Sequence, residues 1–136
     1  MTEPEFLVQP VGRVESPLTD LATAPKQGDE GAPPARIVFR PEFRDAAADL
    51  RPGDEVLVLT WLHLGSRDVL KVHPRSDPAR PLAGVFSTRS PDRPNPIGLH
   101  AVTVTSIEDD GIGVRDLEAI DGTPVIDVKP VLGAVR

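Results

Sequence analysis

Leu99-His100-Ala101-Val102-Thr103-Val104-Thr105-Ser106-Ile107-Glu108 runs into Asp109-Asp110-Gly111 and returns through Ile112-Gly113-Val114-Arg115-Asp116-Leu117. Val102 and Val104 alternate with Thr103 and Thr105, so one face of this run is apolar and the other hydroxylated. That is the period of a half-buried strand. Asp-Asp-Gly is hairpin chemistry, so residues 99–108 and 112–117 read as paired antiparallel strands. A second turn, Asp121-Gly122-Thr123-Pro124, leads into another apolar run over residues 125–131. Strand, turn, strand, turn, strand with short connections marks an all-β chain.

The N-terminal half fits. Residues 55–63 hold Val56, Leu57, Val58, Leu59, Trp61 and Leu62, apolar enough to predict a strand covered on both faces. Residues 5–15, 35–39 and 69–73 read as further strands, and residues 82–87 lead from a strand into a loop. Residues 41–50 place Phe43, Ala46, Ala47 and Leu50 on one face of a short helix. Residues 19–34 form a long Pro- and Gly-rich loop, of the kind that is usually functional or disordered. About seven strands, one short helix, no βαβ rhythm and no repeat predict a sandwich or a barrel. The 136 residues fit one domain spanning 1–136.

With no cysteine in the chain, disulfides and thiolate metal sites are excluded. No apolar run approaches a membrane span, and the acidic N-terminus lacks a signal-peptide core, so a cytoplasmic protein is expected. The net charge is −6, which disfavours general polyanion binding. Residues 67–94, however, hold six basic side chains (Arg67, Lys71, Arg75, Arg80, Arg89, Arg93) against Asp68, Asp77 and Asp92. This segment carries +3 and the remainder −9. It is either a local basic face for a nucleic acid or a set of solvated arginines.

The segment ends in Gly84-Val85-Phe86-Ser87-Thr88-Arg89-Ser90-Pro91-Asp92-Arg93-Pro94-Asn95-Pro96-Ile97-Gly98. Its prolines stiffen the loop, which lowers the entropy lost when a ligand binds. Arg89 and Arg93 are planar charged forks suited to carboxylate or phosphate. No Gly-rich dinucleotide fingerprint follows a strand, and no phosphate-binding P-loop is present. His63, His73 and His100 lack metal-ligand spacing and read as strand or loop residues; no metal is expected.

The same run resembles the signature of the TsaA-like, or TrmO-type, methyltransferases, Gly-Val-Phe-Ala/Ser-Thr-Arg-Ser followed by Arg-Pro-Asn-Pro-Ile-Gly. Asp121-Gly122-Thr123-Pro124-Val125-Ile126-Asp127-Val128-Lys129-Pro130 is similar to the family's Asp-Gly-Thr-Pro-Val-Val-Asp-Ile-Lys-Pro. Val11-Gly12-Arg13-Val14-Glu15-Ser16-Pro17 is similar to its N-terminal block. The three blocks stand in family order from residue 11 to 130. The resemblance selects the barrel. It implies an S-adenosylmethionine-dependent methyltransferase, a homodimer with the cofactor near the subunit interface. The implied acceptor is the exocyclic amine of threonylcarbamoyl-modified adenosine beside the tRNA anticodon. Such a reaction depends on alignment of nucleophile, methyl and leaving group, and needs no catalytic triad. A carboxylate, a backbone carbonyl or water takes the amine proton.

Cofactor contacts of the family fall on Pro25, Lys26, Gln27, His63, Leu64, Arg89, Leu99, Glu118, Ala119, Ile120 and Asp121. Three depart from the family pattern. Lys26 replaces Arg and keeps the charge without the fork. Leu64 replaces Gln and loses a hydrogen-bonding group. Glu118 replaces Asp. Glu118 and Asp121 also suit plain turn chemistry. Arg93, Asn95, Asp127 and Lys129 belong to the strong motifs and are candidates for substrate binding. Asp127 and Lys129 lie on one strand face and equally suit a salt bridge. Many bacterial relatives continue past Lys129-Pro130 into a tRNA-binding extension, whereas this chain stops at Arg136. Two alternatives therefore stand beside the tRNA enzyme. One is a methyltransferase for a small molecule or another RNA; the other is a non-catalytic barrel for a nucleotide-like ligand.

Overall fold

The structure is a computed structural model that describes residues 5–20, 24–25, 29 and 31–133. Six strands close into a barrel: β1 (Gly12–Glu15), β2 (Ala35–Phe39), β3 (Glu55–Trp61), β6 (Ile97–Glu108), β7 (Gly111–Arg115) and β8 (Pro124–Pro130). Around the barrel they run β1-β2-β7-β6-β3-β8, and every pairing is antiparallel. Two short strands, β4 (Lys71–Val72) and β5 (Ala83–Gly84), form a separate ribbon. The expected all-β barrel of antiparallel strands is what the chain forms.

The hairpin at residues 99–117 sets the interior. Glu108 pairs with Gly111, so Asp109-Asp110 is the tight turn. Along β6, Gly98, His100, Val102 and Val104 are buried, whereas Leu99, Ala101 and Thr105 are exposed. On β3, Val56, Val58 and Thr60 point inward, and Leu57, Leu59 and Trp61 stay half-buried outside. The core joins these to Val14, Ile37, Ile112, Val114, Leu117 and Val125. A bulge in β8 opposite Leu59/Thr60 shifts the pairing from Leu59–Asp127 to Thr60–Val125. The extra residue, Ile126, changes the strand's phase. Val125 and Val128 therefore both pack on the core while Asp127 and Lys129 face out.

Three local expectations are corrected. Residues 5–10 are not strand, and Phe6, Leu7 and Val8 lie exposed; the first strand begins at Gly12, where pairing with β2 and β8 becomes available. The expected helix at residues 41–50 is a 3-10 element over Pro41–Ala47 with no buried residue, too short on packing to support an α-helix. The expected strand at residues 69–73 narrows to Lys71–Val72. Among the described residues no helix is long and apolar enough to cross a membrane.

Candidate functional site

A cleft of about 430 Å³ opens at the end of the barrel where β3 finishes and β6 begins. Widely separated stretches converge on it. The early loop brings Pro25, the turn after β3 brings His63 and Leu64, and the Pro-rich loop brings Arg89 and Arg93. The start of β6 brings Leu99, and the segment after β7 brings Glu118, Ala119 and Ile120. Lys26 and Gln27 lie outside the described residues.

The turn after β3 and the Pro-rich loop are hydrogen-bonded to each other. Leu62 N donates to Pro96 O at 2.7 Å and Arg93 N to Ser66 O at 2.9 Å. Ser66 N donates to Asp92 Oδ1 at 2.9 Å. The approach is closest at Gly65, where a Cβ would stand 2.3 Å from Pro91 O. Arg67 closes the connection from outside. Its Nε donates to Pro94 O at 2.8 Å, its Nη2 to Asn95 Oδ1 at 3.0 Å, and its guanidinium lies 5.2 Å from the Trp61 ring centroid. Arg93 turns inward to the loop itself, Nη1 donating to Thr88 O at 2.9 Å and Ser90 O at 3.1 Å. Asn95 and Arg93 thus hold the loop's shape, and Arg93 also borders the cleft.

Arg89 is different. Its one described hydrogen bond is a long 3.4 Å contact from Nη1 to Leu99 O, and the side chain is exposed. Arg89 lines both the cleft and the groove beside it. That groove, about 820 Å³, runs between the Pro-rich loop and residues 71–78 and presents Lys71, Arg75 and Arg89. Phe86 borders cleft and groove alike and is 86% exposed.

Beneath the cleft lies a buried chain of polar groups that sequence reasoning missed. His100 Nδ1 is 2.6 Å from Glu118 Oε1, and His100 Nε2 is 2.7 Å from Thr60 Oγ1. An ionised carboxylate accepts only, which places a proton on Nδ1, and Nε2 and the Thr60 hydroxyl share the second hydrogen bond. One signal in the sequence marked His100, though not its partners. His100 stands in phase with Val102 and Val104 on the inward face, and a buried imidazole requires partners. Gly98 belongs to the same arrangement: a Cβ there would lie 2.3 Å from Thr60 Oγ1 and 2.7 Å from His100 Nε2.

The remaining candidates lie elsewhere. Asp121 Oδ1 accepts from Ser16 N at 3.0 Å, which joins its turn to the end of β1; it stands beside Ile120 but is not itself part of the cleft lining. Asp127 and Lys129 form a 3.7 Å ion pair on the outside of β8. They border a cavity of about 580 Å³ at the opposite end of the barrel.

The donor set fits S-adenosylmethionine. Arg89 suits a carboxylate, Glu118 suits hydroxyl or ammonium donors, and Leu64, Leu99, Ala119 and Ile120 give apolar walls. The volume lies within the range of small-molecule sites.

Residues 13–135 match the family model of the tRNA-methyltransferase O N-terminal domain. A probable S-adenosyl-L-methionine-binding protein of Methanothermobacter thermautotrophicus is 44% identical over 130 residues, covering 96% of this chain and 93% of that protein. An S-adenosyl-L-methionine-binding protein of Archaeoglobus fulgidus is 39% identical over 124 residues, covering 91% and 88%. The crystal structure of TrmO from Pseudomonas aeruginosa superposes with a TM-score of 0.73 at 26% identity. The match covers 97% of this chain and 57% of the solved one, so the chain spans under three-fifths of that protein's length.

Proposed function

The chain belongs to the tRNA-methyltransferase O N-terminal-domain family, and from that premise we propose that its cleft holds S-adenosylmethionine for methyl transfer to tRNA. The acceptor we assign is the N6 amine of threonylcarbamoyl-modified adenosine next to the anticodon. The observation that carries the cofactor assignment is convergence. Nine residues singled out by motif, from positions 25 to 120, line one cleft of ligand size.

Bound there, S-adenosylmethionine supplies a methyl group already activated by its positive sulfur. The chain's own work is then binding and alignment. Arg89 offers a fork to the cofactor carboxylate. Glu118 offers an acceptor to its hydroxyl or ammonium groups. Leu64, Leu99 and Ile120 keep water from the apolar parts. The stiff, cross-bonded Pro-rich loop holds Arg89 in place before binding.

The acceptor reading draws on the groove that shares Phe86, Thr88, Arg89 and Pro91 with the cleft. Lys71, Arg75 and Arg89 suit RNA phosphates, and an exposed ring suits stacking by an unpaired base. A homodimer is part of the same reading. Leu64, Ile97 and Leu99 are all exposed around the cleft mouth, and a second copy would cover them.

Titration calorimetry with S-adenosylmethionine tests the cofactor. Heat of binding with a thermal upshift is expected; no heat at millimolar cofactor overturns it. Mass spectrometry of tRNA nucleosides with and without the gene tests the acceptor. Unchanged methylated threonylcarbamoyladenosine, in a cell with no second family member, would move the assignment to a small molecule or another RNA.

A further inference from the structure

A hydroxyl, an imidazole and a carboxylate in line invite comparison with a nucleophile, base and orienting acid. Burial rules that out. Thr60 is 0% exposed, so no substrate reaches its oxygen. The chain meets the cleft at its other end, where both His100 and Glu118 line the wall and the Glu118 side chain, 17% exposed against 4% for His100, is the more accessible. We propose that His100 is a positioning residue: anchored by Thr60, it fixes the Glu118 carboxylate in the cleft wall so that its second oxygen faces the ligand. This rests on the cofactor reading of the cleft.

Three features support the direction. Among the described residues His100 is the hydrogen-bonding partner of Glu118. The longer side chain at position 118, Glu where the family pattern has Asp, carries its carboxylate to within 2.6 Å of the ring. The imidazole cannot swing away, because β6 pairs Gly98 with Thr60 and both ring nitrogens are engaged. With Nδ1–H held by Oε1, Oε2 is left to accept from a hydroxyl or ammonium group. Leu64 provides no hydrogen bond on the facing turn, so recognition depends more heavily on the Glu118 wall.

Two substitutions separate positioning from packing. In His100→Asn the amide nitrogen takes the place of Nδ1 and keeps a donor to Glu118. In His100→Gln it takes the place of Nε2, keeping the Thr60 contact and losing Glu118. We expect His100→Gln to weaken S-adenosylmethionine and S-adenosylhomocysteine binding about tenfold by calorimetry, and His100→Asn to keep most of the affinity. In a Glu118→Gln background, His100→Gln should add little further loss, because both act through one group. Equal losses in Asn and Gln variants of matched thermal stability, or full additivity with Glu118→Gln, would overturn the proposal while leaving the cofactor assignment standing. A parent protein that binds neither ligand overturns both. Should His100→Gln not fold, Thr60→Val examines the same chain from its buried end. A several-fold loss of affinity is then expected, and parental affinity would overturn the proposal.

Discussion

Arg89 and Gly98 are the residues whose replacement separates site from scaffold. Arg89 is exposed and makes one long contact to Leu99 O, so the fold does not depend on it. Arg89→Ala is expected to leave the melting temperature within a degree or two of the parent. Losing a charge-assisted hydrogen bond costs about 1.5–3 kcal/mol, or roughly 10- to 100-fold in cofactor affinity. Calorimetry beside a thermal melt checks both halves; unchanged affinity would make Arg89 a surface charge. Gly98→Ala works in the opposite way. Its Cβ would collide with two buried polar atoms, Thr60 Oγ1 and His100 Nε2. Relief requires breaking their hydrogen bond or moving β6 from β3. Overpacking of this kind costs about 1–3 kcal/mol, so a lower unfolding midpoint in denaturant is expected. In a Thr60→Ala, Gly98→Ala pair part of the stability should return, because the clash with Oγ1 is gone, whereas the loss of cofactor affinity should remain, because the hydroxyl that anchors His100 is gone too.

At the scale of elements, the Pro-rich loop is held by a partner that does not line the cleft. Arg67 spans Pro94 O, Asn95 Oδ1 and the face of Trp61. Arg67→Ala should loosen the loop and weaken cofactor binding several-fold without touching a ligand contact. Trp61 is the chain's single tryptophan, so its fluorescence reports the change directly. A red-shifted emission accompanying the loss of affinity is expected; loss of affinity with an unmoved spectrum would place the effect elsewhere. This element also shows what sequence reading reaches. The alternation of Val102, Val104, Thr103 and Thr105 and the turn after Glu108 are local, so the barrel strands were legible from them. Motif positions brought together by the loop and the segment 118–120 were legible as well. The Thr60–His100–Glu118 chain was not, because it depends on the β3–β6 register and on a side chain crossing from another segment. Nor was the end of the first strand: Phe6, Leu7 and Val8 read as a strand by composition, yet the barrel closes without them. Asp127 and Lys129 were legible as neighbours on one face, but their distance from the cleft follows from β8's place in the barrel.

For the molecule as a whole, charge placement decides both stability and partner. At one barrel end Arg36 joins three carboxylates: Nε to Glu108 at 2.6 Å, Nη1 to Glu15 at 2.7 Å and Nη2 to Asp110 at 2.5 Å. The hydrogen bond to Glu108, ahead of the opposing effect of burial, holds the guanidinium above its ordinary range. The raised value stabilises the fold below the arginine range for as long as the partner carboxylates are ionised and is lost at the alkaline end only in strong alkali, so near neutrality salt rather than pH is the informative variable. The group is about one-third exposed, and three such pairs contribute about 1–2 kcal/mol together after solvent screening. Arg36→Met should lower the melting temperature at low salt, and the deficit should shrink in molar salt. The groove side carries the opposite balance. On a chain of net charge −6, Lys71, Arg75 and Arg89 gather along one groove beside the exposed Phe86, with Asp92 as the acidic side chain in its lining. If tRNA lies there, affinity must fall with salt as phosphate contacts release counterions. Lys71 and Arg75 border the groove and Arg80 does not, so Lys71 and Arg75 are the informative pair. Lys71→Ala and Arg75→Ala should each reduce the slope of log affinity against log salt by about 0.7 on a single-stranded anticodon loop, with cofactor affinity unchanged. Arg80→Ala should leave the slope as it is. Equal flattening by all three would mean a diffuse field rather than a groove, and a slope insensitive to Lys71 and Arg75 would place the acceptor on another face.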